Sequence, residues 1–341
     1  MERPDTLCRT AARIGQLAHT AMIEEVLTTP KPGLVDLYSN GAHTDMDVDT
    51  FRRSAAALFP FFTEMAIEGV QETGTPEALF RSIRKTGIEA EKAMYAATGG
   101  VNTHKGIIFT FGVFSAAAGR CLREGKEATA KNLAEMQQAM TGRILREELE
   151  HMKKRRETDS GFGSSTAEAV KSSSEDMEPT FKTASRKGEK NSAGDSSGCG
   201  RASVTHGERN FLRYGTAGIR GEAILGYPGI FRVGLPVLQD GLKRGQEWNL
   251  VKLQTLLTLM AQTEDSNVLS RGGLEELERV HAETKEFLRN GGAYQPYAVQ
   301  ILRGMDADYI RRNCSPGGSA DLLAASVFIN SLTAMRMNGD F

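Results

Sequence analysis

The sequence predicts an all-α fold. Apolar residues recur at three- and four-residue spacing through most of the chain, glycine-bearing stop signals follow several of these stripes, and neither alternating strands nor strand–helix alternation is found. Ile14, Leu17, Ala18, Ala21, Met22 and Val26 define the first stripe, the one buried face that a packed helix requires. Helices are predicted next over Phe51 to Ile67 and Leu79 to Ala97, the second closed by Gly99-Gly100, a C-cap pair. Ile107 to Cys121 and Leu133 to Leu149 continue the series. Beyond the middle of the chain the stripes resume at Phe231 to Leu242, Leu250 to Met260 and Leu274 to Leu288, with Asn290-Gly291-Gly292 as a stop. Tyr297 to Ile310 and Leu322 to Leu332 complete the set.

Between these halves, from about Met152 to Val204, serine, glycine, lysine and glutamate dominate and large apolar residues nearly vanish. Such a stretch cannot bury enough surface to offset the entropy of ordering it. It reads as a flexible insertion, 152–204, within one helical catalytic domain spanning 1–341.

Composition narrows the class further. In 341 residues, 40% hydrophobic and 25% charged content is that of a soluble globular protein. A net charge of -1 lacks the basic excess of a nucleic-acid surface. The first residues have no apolar core of signal-peptide length, and no run is read as spanning a bilayer. Cys8, Cys121, Cys199 and Cys314 are far apart, which argues against zinc ribbons and disulfide frameworks. The expectation is a cytoplasmic protein with neither nucleic acid nor membrane as partner.

Chemistry is concentrated in polar, glycine-punctuated segments where helices should begin or end. Helix starts attract anions, because their first N–H groups lack partners and the dipole is positive there. In Thr29-Pro30-Lys31-Pro32-Gly33-Leu34-Val35-Asp36, two prolines stiffen the chain around Lys31, which suits either a phosphate site or a plain helix stop. His43-Thr44-Asp45-Met46-Asp47 offers two carboxylates one residue apart. They can share a hard cation such as magnesium, or Asp47 can simply cap the helix that follows.

Gly100-Val101-Asn102-Thr103-His104-Lys105-Gly106 precedes an apolar helix. Asn102 or Thr103 can cap it, and Lys105 with the free N–H groups forms a polyphosphate cradle; a structural His104 is the competing reading. Gly218-Ile219-Arg220-Gly221-Glu222 pairs a bidentate phosphate binder with a carboxylate. Glu222 suits a salt bridge, a metal or a general base. Two further loops carry Asp265, Asn267 and Arg271, then Ser315, Gly317, Gly318, Ser319 and Asp321. The glycines let backbone approach a ligand, Ser319 is a candidate N-cap, and Asp321 complements the dipole of the last helix.

Together EVLTTPKPGLVD, NGAHTDMD, GGVNTHKGIIF, THGERNFLRYGTAGIRGEA, LMAQTEDSNVLSRGG and NCSPGGSADLLA resemble the triphosphoribosyl-dephospho-coenzyme A synthase family, in order and across nearly the whole chain outside the insertion. The resemblance implies that ATP and 3′-dephospho-coenzyme A are the substrates, that 2′-(5″-triphosphoribosyl)-3′-dephospho-coenzyme A is the product, and that adenine leaves. The product would serve citrate lyase or malonate decarboxylase, so an acyl carrier protein is an indirect downstream partner. Breaking a glycosidic bond passes through an oxocarbenium-like state that a base and an acid assist.

On that reading Lys31, Lys105, Arg220 and Arg271 hold phosphates, and Asp45, Asp47 and Asp265 lie near magnesium. Glu222 or Asp36 is the base, and His104 donates to adenine. Gly33, His43, Asn102, Thr103, Gly106, Asn267, Ser315, Gly317, Gly318, Ser319 and Asp321 line the substrates. The competing readings are a helical hydrolase of nucleotides or ADP-ribose and a non-catalytic helical scaffold.

Overall fold

The computed structural model describes residues 4–161 and 215–335. Among these residues every regular element is helical. The first half comprises α1 (Pro4–Leu27), α2 (Val48–Gln71), α3 (Pro76–Thr98), α4 (Lys105–Arg123) and α5 (Ala130–Gly161). The second comprises α6 (Gly218–Ile224), a π-helical turn (Gly229–Gly234), α7 (Leu235–Lys243), α8 (Trp248–Met260) and α9 (Ser266–Arg289). A 3-10 turn (Gly292–Tyr294), α10 (Ala298–Arg311) and α11 (Gly317–Ala334) follow.

Local chemistry sets the ends. Thr75 caps α3 ahead of Pro76, and Gly99 closes it in the left-handed region, as the stop signal predicts. Gly291 is likewise left-handed after α9. Two boundaries differ from expectation. Helix α5 continues through residues 152–161, where the insertion was expected to begin; the rest of that segment, 162–204, lies outside the described residues. The polar loop before Leu274 is itself helical from Ser266. Only Gly273, with φ of 74° and ψ of -165°, breaks the run.

The core is one continuous cluster in which α2 packs against α1, α3 and α4, while α11 packs against α1, α4 and α8. Glycine lets α2 and α4 touch. A Cβ on Gly69 would strike the Ala116 carbonyl, and one on Gly119 would strike the Ala66 carbonyl across the same crossing. Among the described residues α4 alone is long and apolar enough to cross a bilayer, which the sequence reading did not anticipate. It is largely buried inside this core, with Phe111 stacked on Phe328 of α11 at 4.6 Å.

This packing brings the polar segments to one end of the bundle. The segment after α1, the starts of α4, α6, α9 and α11, and the π turn converge there on a single cleft.

Candidate active site

The cleft has a volume of about 1990 Å³. Small-molecule pockets are usually about 300–1,000 Å³, so it has room for two nucleotide-sized ligands. Its cationic residues are Lys31, Arg84, Lys105, Arg220, Arg232 and Arg271, and its carboxylates include Glu25, Asp45, Glu222, Asp265 and Asp321.

Lys31 lies at the floor, 1% exposed, with its ammonium on Glu25 Oε1 and 2.8 Å from the Glu25 carbonyl oxygen. It is therefore a buried, paired charge and not the freely presented cation the proline-lysine-proline pattern suggested. Glu25 was missed in the sequence, although the signal was there. It stands four residues after Ala21 and three after Met22, so a charge interrupts the apolar stripe of α1.

Three predicted residues of this region do not reach the cleft. Asp36 is used up organising its own turn. Its Oδ2 accepts the Lys31 N–H at 2.5 Å, and its Oδ1 accepts those of Tyr38 and Ser39 at 2.6 and 2.9 Å. These three bonds hold both oxygens in the turn, away from the cleft. Gly33 is a structural glycine: its φ is +72°, its N–H donates to Asp306 Oδ1 at 2.9 Å, and a Cβ there would collide with the Cys314 carbonyl. Asp47 caps α2 by accepting the Thr50 N–H at 2.8 Å, and a reciprocal Thr50 hydroxyl completes a capping box. Its partner in the proposed metal pair, Asp45, is 60% exposed at the cleft rim.

At the start of α4, Asn102 Oδ1 accepts the Lys105 N–H at 3.2 Å, as a capping residue would. Lys105 is exposed at the rim with its ammonium on Glu91. His104 is 1% exposed, its ring set edge-on to Phe51 at 5.0 Å. Thr103 donates to Ser54 Oγ at 2.7 Å, and Ser54 lies 2.7 Å from His104 Nδ1. With the Ser54 proton directed at Nδ1, the ring carries its own hydrogen on Nε2, which has no partner among the described residues. Burial, and secondarily the Lys31 charge, push this histidine down to about 3. It is neutral at physiological pH, so it can donate a hydrogen bond but has no acidic proton to give adenine. This favours hydrogen bonding over proton transfer as its role.

The other wall begins at α6. Arg220 and Glu222 both line the cleft. Glu222 Oε2 accepts the Gly229 N–H at 2.9 Å, which anchors the first residue of the π turn, and burial raises its pKa. The turn in turn exposes Arg232 to the cleft, a residue the sequence reading passed over. It belongs to the apolar stripe Phe231 to Leu242, and only the widened turn sets it at the opening.

Arg271 clamps two loops together. Nη1 donates to the Ala42 carbonyl at 2.9 Å and to Asn313 Oδ1 at 3.1 Å, while Nη2 lies 3.4 Å from His43 Nδ1. His43 Nε2 reaches Ser315 Oγ at 2.9 Å. Burial and the Arg271 charge push His43 down to about 4, so it is neutral as well. Asn267 stands over Gly317, where a Cβ would come within 2.5 Å of its amide nitrogen.

Asp265 lies on the cleft but is fully engaged. Oδ1 accepts the N–H groups of Asn267 and Val268 at 3.0 and 3.4 Å; Oδ2 accepts the N–H and hydroxyl of Ser319 at 2.8 and 3.0 Å. It caps α9 and ties down the first turn of α11, which accounts for its lone pairs and leaves none for a metal. Ser319 is correspondingly the third residue of α11, not its cap, and is buried away from the cleft. Asp321, two residues further on, faces the cleft with no hydrogen bond and no cation among the described residues. Gly106 of α4 makes room for it, since a Cβ there would collide with Asp321 Oδ2.

Residues 11–339 match the family described as ATP:dephospho-CoA triphosphoribosyl transferase. The chain belongs to that family of transferases. It is 34% identical over 325 residues to a 2-(5″-triphosphoribosyl)-3′-dephosphocoenzyme-A synthase of Klebsiella pneumoniae, covering 95% of this chain and 92% of that protein. It is 38% identical over 310 residues to the protein of that name from Pectobacterium atrosepticum, covering 91% of this chain and 85% of the relative. No solved structure matches the chain.

Proposed function

We propose that this transferase joins ATP to 3′-dephospho-coenzyme A in the cytoplasm, forming 2′-(5″-triphosphoribosyl)-3′-dephospho-coenzyme A and releasing adenine. Family membership is supported here by one observation above others. A single cleft with room for two nucleotides is lined by both charges, with Lys105, Arg232 and Arg271 exposed and Glu25 and Asp265 buried. Lys105, Arg220, Arg232 and Arg271 would meet phosphates at the opening, where bidentate guanidinium contacts suit them. The glycosidic bond would then lie over the acidic floor.

Glu222 would take the proton of the attacking 2′-hydroxyl. One oxygen is held by Gly229, and its raised pKa makes it a stronger base than a solvent carboxylate. His104 Nε2–H would hydrogen-bond the substrate without transferring its proton. Among the described residues no three acidic, histidine or cysteine side chains converge as a metal site. That agrees with magnesium, which takes most of its ligands from phosphate and water and needs only one or two carboxylates. Asp45 fits such a site; Asp47 and Asp265 do not. Bound there with the triphosphate, magnesium would offset phosphate charge.

The test is to incubate the protein with ATP, magnesium and 3′-dephospho-coenzyme A and follow products by mass spectrometry. Coupled product and adenine should appear in equal amounts. Adenine released at the same rate without the coenzyme, and no coupled product with it, would overturn the transfer reading in favour of hydrolysis.

A further inference from the structure

The expected proton donor to adenine, His104, is neutral, which leaves the acid of the reaction unassigned. Adenine is a poor leaving group as an anion, so the bond to its N9 breaks readily only if a ring nitrogen gains a proton. A group suited to supply it must face the cleft, hold its proton more tightly than a solvent carboxyl, and have no structural duty that holds it elsewhere.

Asp321 meets these conditions through its surroundings. It projects from the second turn of α11 against Gly106 at the start of α4, where the missing Cβ leaves the space that the carboxyl occupies on the cleft wall. The charges that bear on it are acidic. Glu25 of α1 is already answered by Lys31, and Asp265 at the start of α9 is answered by four donors. The nearby Tyr227 is buried and neutral, with its hydroxyl toward Thr110. Lys105, on the same helix start as Gly106, is turned to Glu91. No cation among the described residues stabilises an Asp321 carboxylate, and an incoming triphosphate adds more negative charge.

We propose that Asp321 is the general acid that protonates the departing adenine. The inference rests on the transferase reading above for its acceptor, but not for its leaving group. As the C1′–N9 bond of ATP breaks, its electron pair stays on adenine and the Asp321 proton passes to a purine ring nitrogen. The acceptor 2′-oxygen bonds to C1′ and its proton passes to Glu222. One proton enters the leaving group and one is collected, and exchange through water after product release restores both carboxyls.

The test compares ATP with 7-methyl-ATP, whose purine is already cationic and leaves without further protonation. Adenine or 7-methyladenine release is the signal. Asp321→Asn should lower kcat with ATP by about 10²–10⁴-fold, and with 7-methyl-ATP by less than about tenfold. The wild-type rate with ATP should fall at high pH as the acid loses its proton, and that limb should be missing with 7-methyl-ATP. Equal losses on both substrates, or no loss with ATP, would overturn the proposal. Should Asp321→Asn fail to fold, Gly106→Ala presses a methyl group onto the same carboxyl and should show the same substrate dependence. Base release by the wild type without coupled product would count against transfer to the coenzyme, while the leaving-group comparison would still decide the role of Asp321.

Discussion

Two carboxylates on the cleft, Asp265 and Asp321, differ in what surrounds them. At the junction of α9 and α11, Asp265 accepts four hydrogen bonds and holds two helix starts together. On the wall between α11 and α4, Asp321 has no donor among the described residues and sits against a glycine. Burial raises both pKa values, but donated hydrogen bonds oppose the rise only at Asp265. Donors make a buried acid a structural clamp; without them burial makes the same group hold its proton more tightly. Glu25 takes the third option, a buried ion pair with Lys31.

The largest effect should come from leaving the Glu25 charge unanswered. Lys31→Met removes the partner of a carboxylate buried with it and should cost about 3–5 kcal/mol in denaturant unfolding. A smaller cost would mean that Glu25 simply takes up a proton. Next, Asp265→Ala strips a cap from α9 and leaves N–H groups at both helix starts without acceptors. A loss of about 2–3 kcal/mol is expected, with α9 and α11 showing faster hydrogen exchange than α2. Uniform exchange across the three helices would break the distinction between clamp and wall.

Asp321→Asn should behave in the opposite way, with activity lost and stability kept or improved. The sign follows from linkage. The folded pKa lies above the unfolded one, so above about pH 4 the unfolded chain releases this proton while the folded chain retains it. Wild type should therefore lose stability relative to Asp321→Asn as pH rises, until the folded carboxyl ionises too. Melting curves from pH 4 to 8 read this directly, and a constant difference would contradict it. The smallest effect belongs to Asp47→Ala, which removes an exposed cap of α2. A slight drop in melting temperature with unchanged turnover is expected, and a large fall in turnover would return Asp47 to the metal site.

Much of the fold was legible because a helical core writes itself at a fixed period. The stripe from Ile14 to Val26 and the Gly99 stop both reappear in the structure. The site was legible as a set of segments, since Lys105, Arg220, Arg271 and Asp321 all reach one cleft. Individual roles were less so. Asp36, Asp47 and Asp265 have the residue type of a base or a metal ligand, but backbone N–H groups claim them, and sequence does not display where an N–H points. Arg232 was hidden for the converse reason, since only a π turn brings a residue of an apolar stripe to the opening.

The sequence by itself determined the all-α architecture and the family, because periodic burial and long ordered motifs are local properties of the chain. Tertiary structure alone decided which acid is a clamp, which is a paired charge and which is free. Those differences depend on donors brought from segments tens to hundreds of residues away, as when Ser319 of α11 reaches Asp265 and Gly106 of α4 leaves space for Asp321.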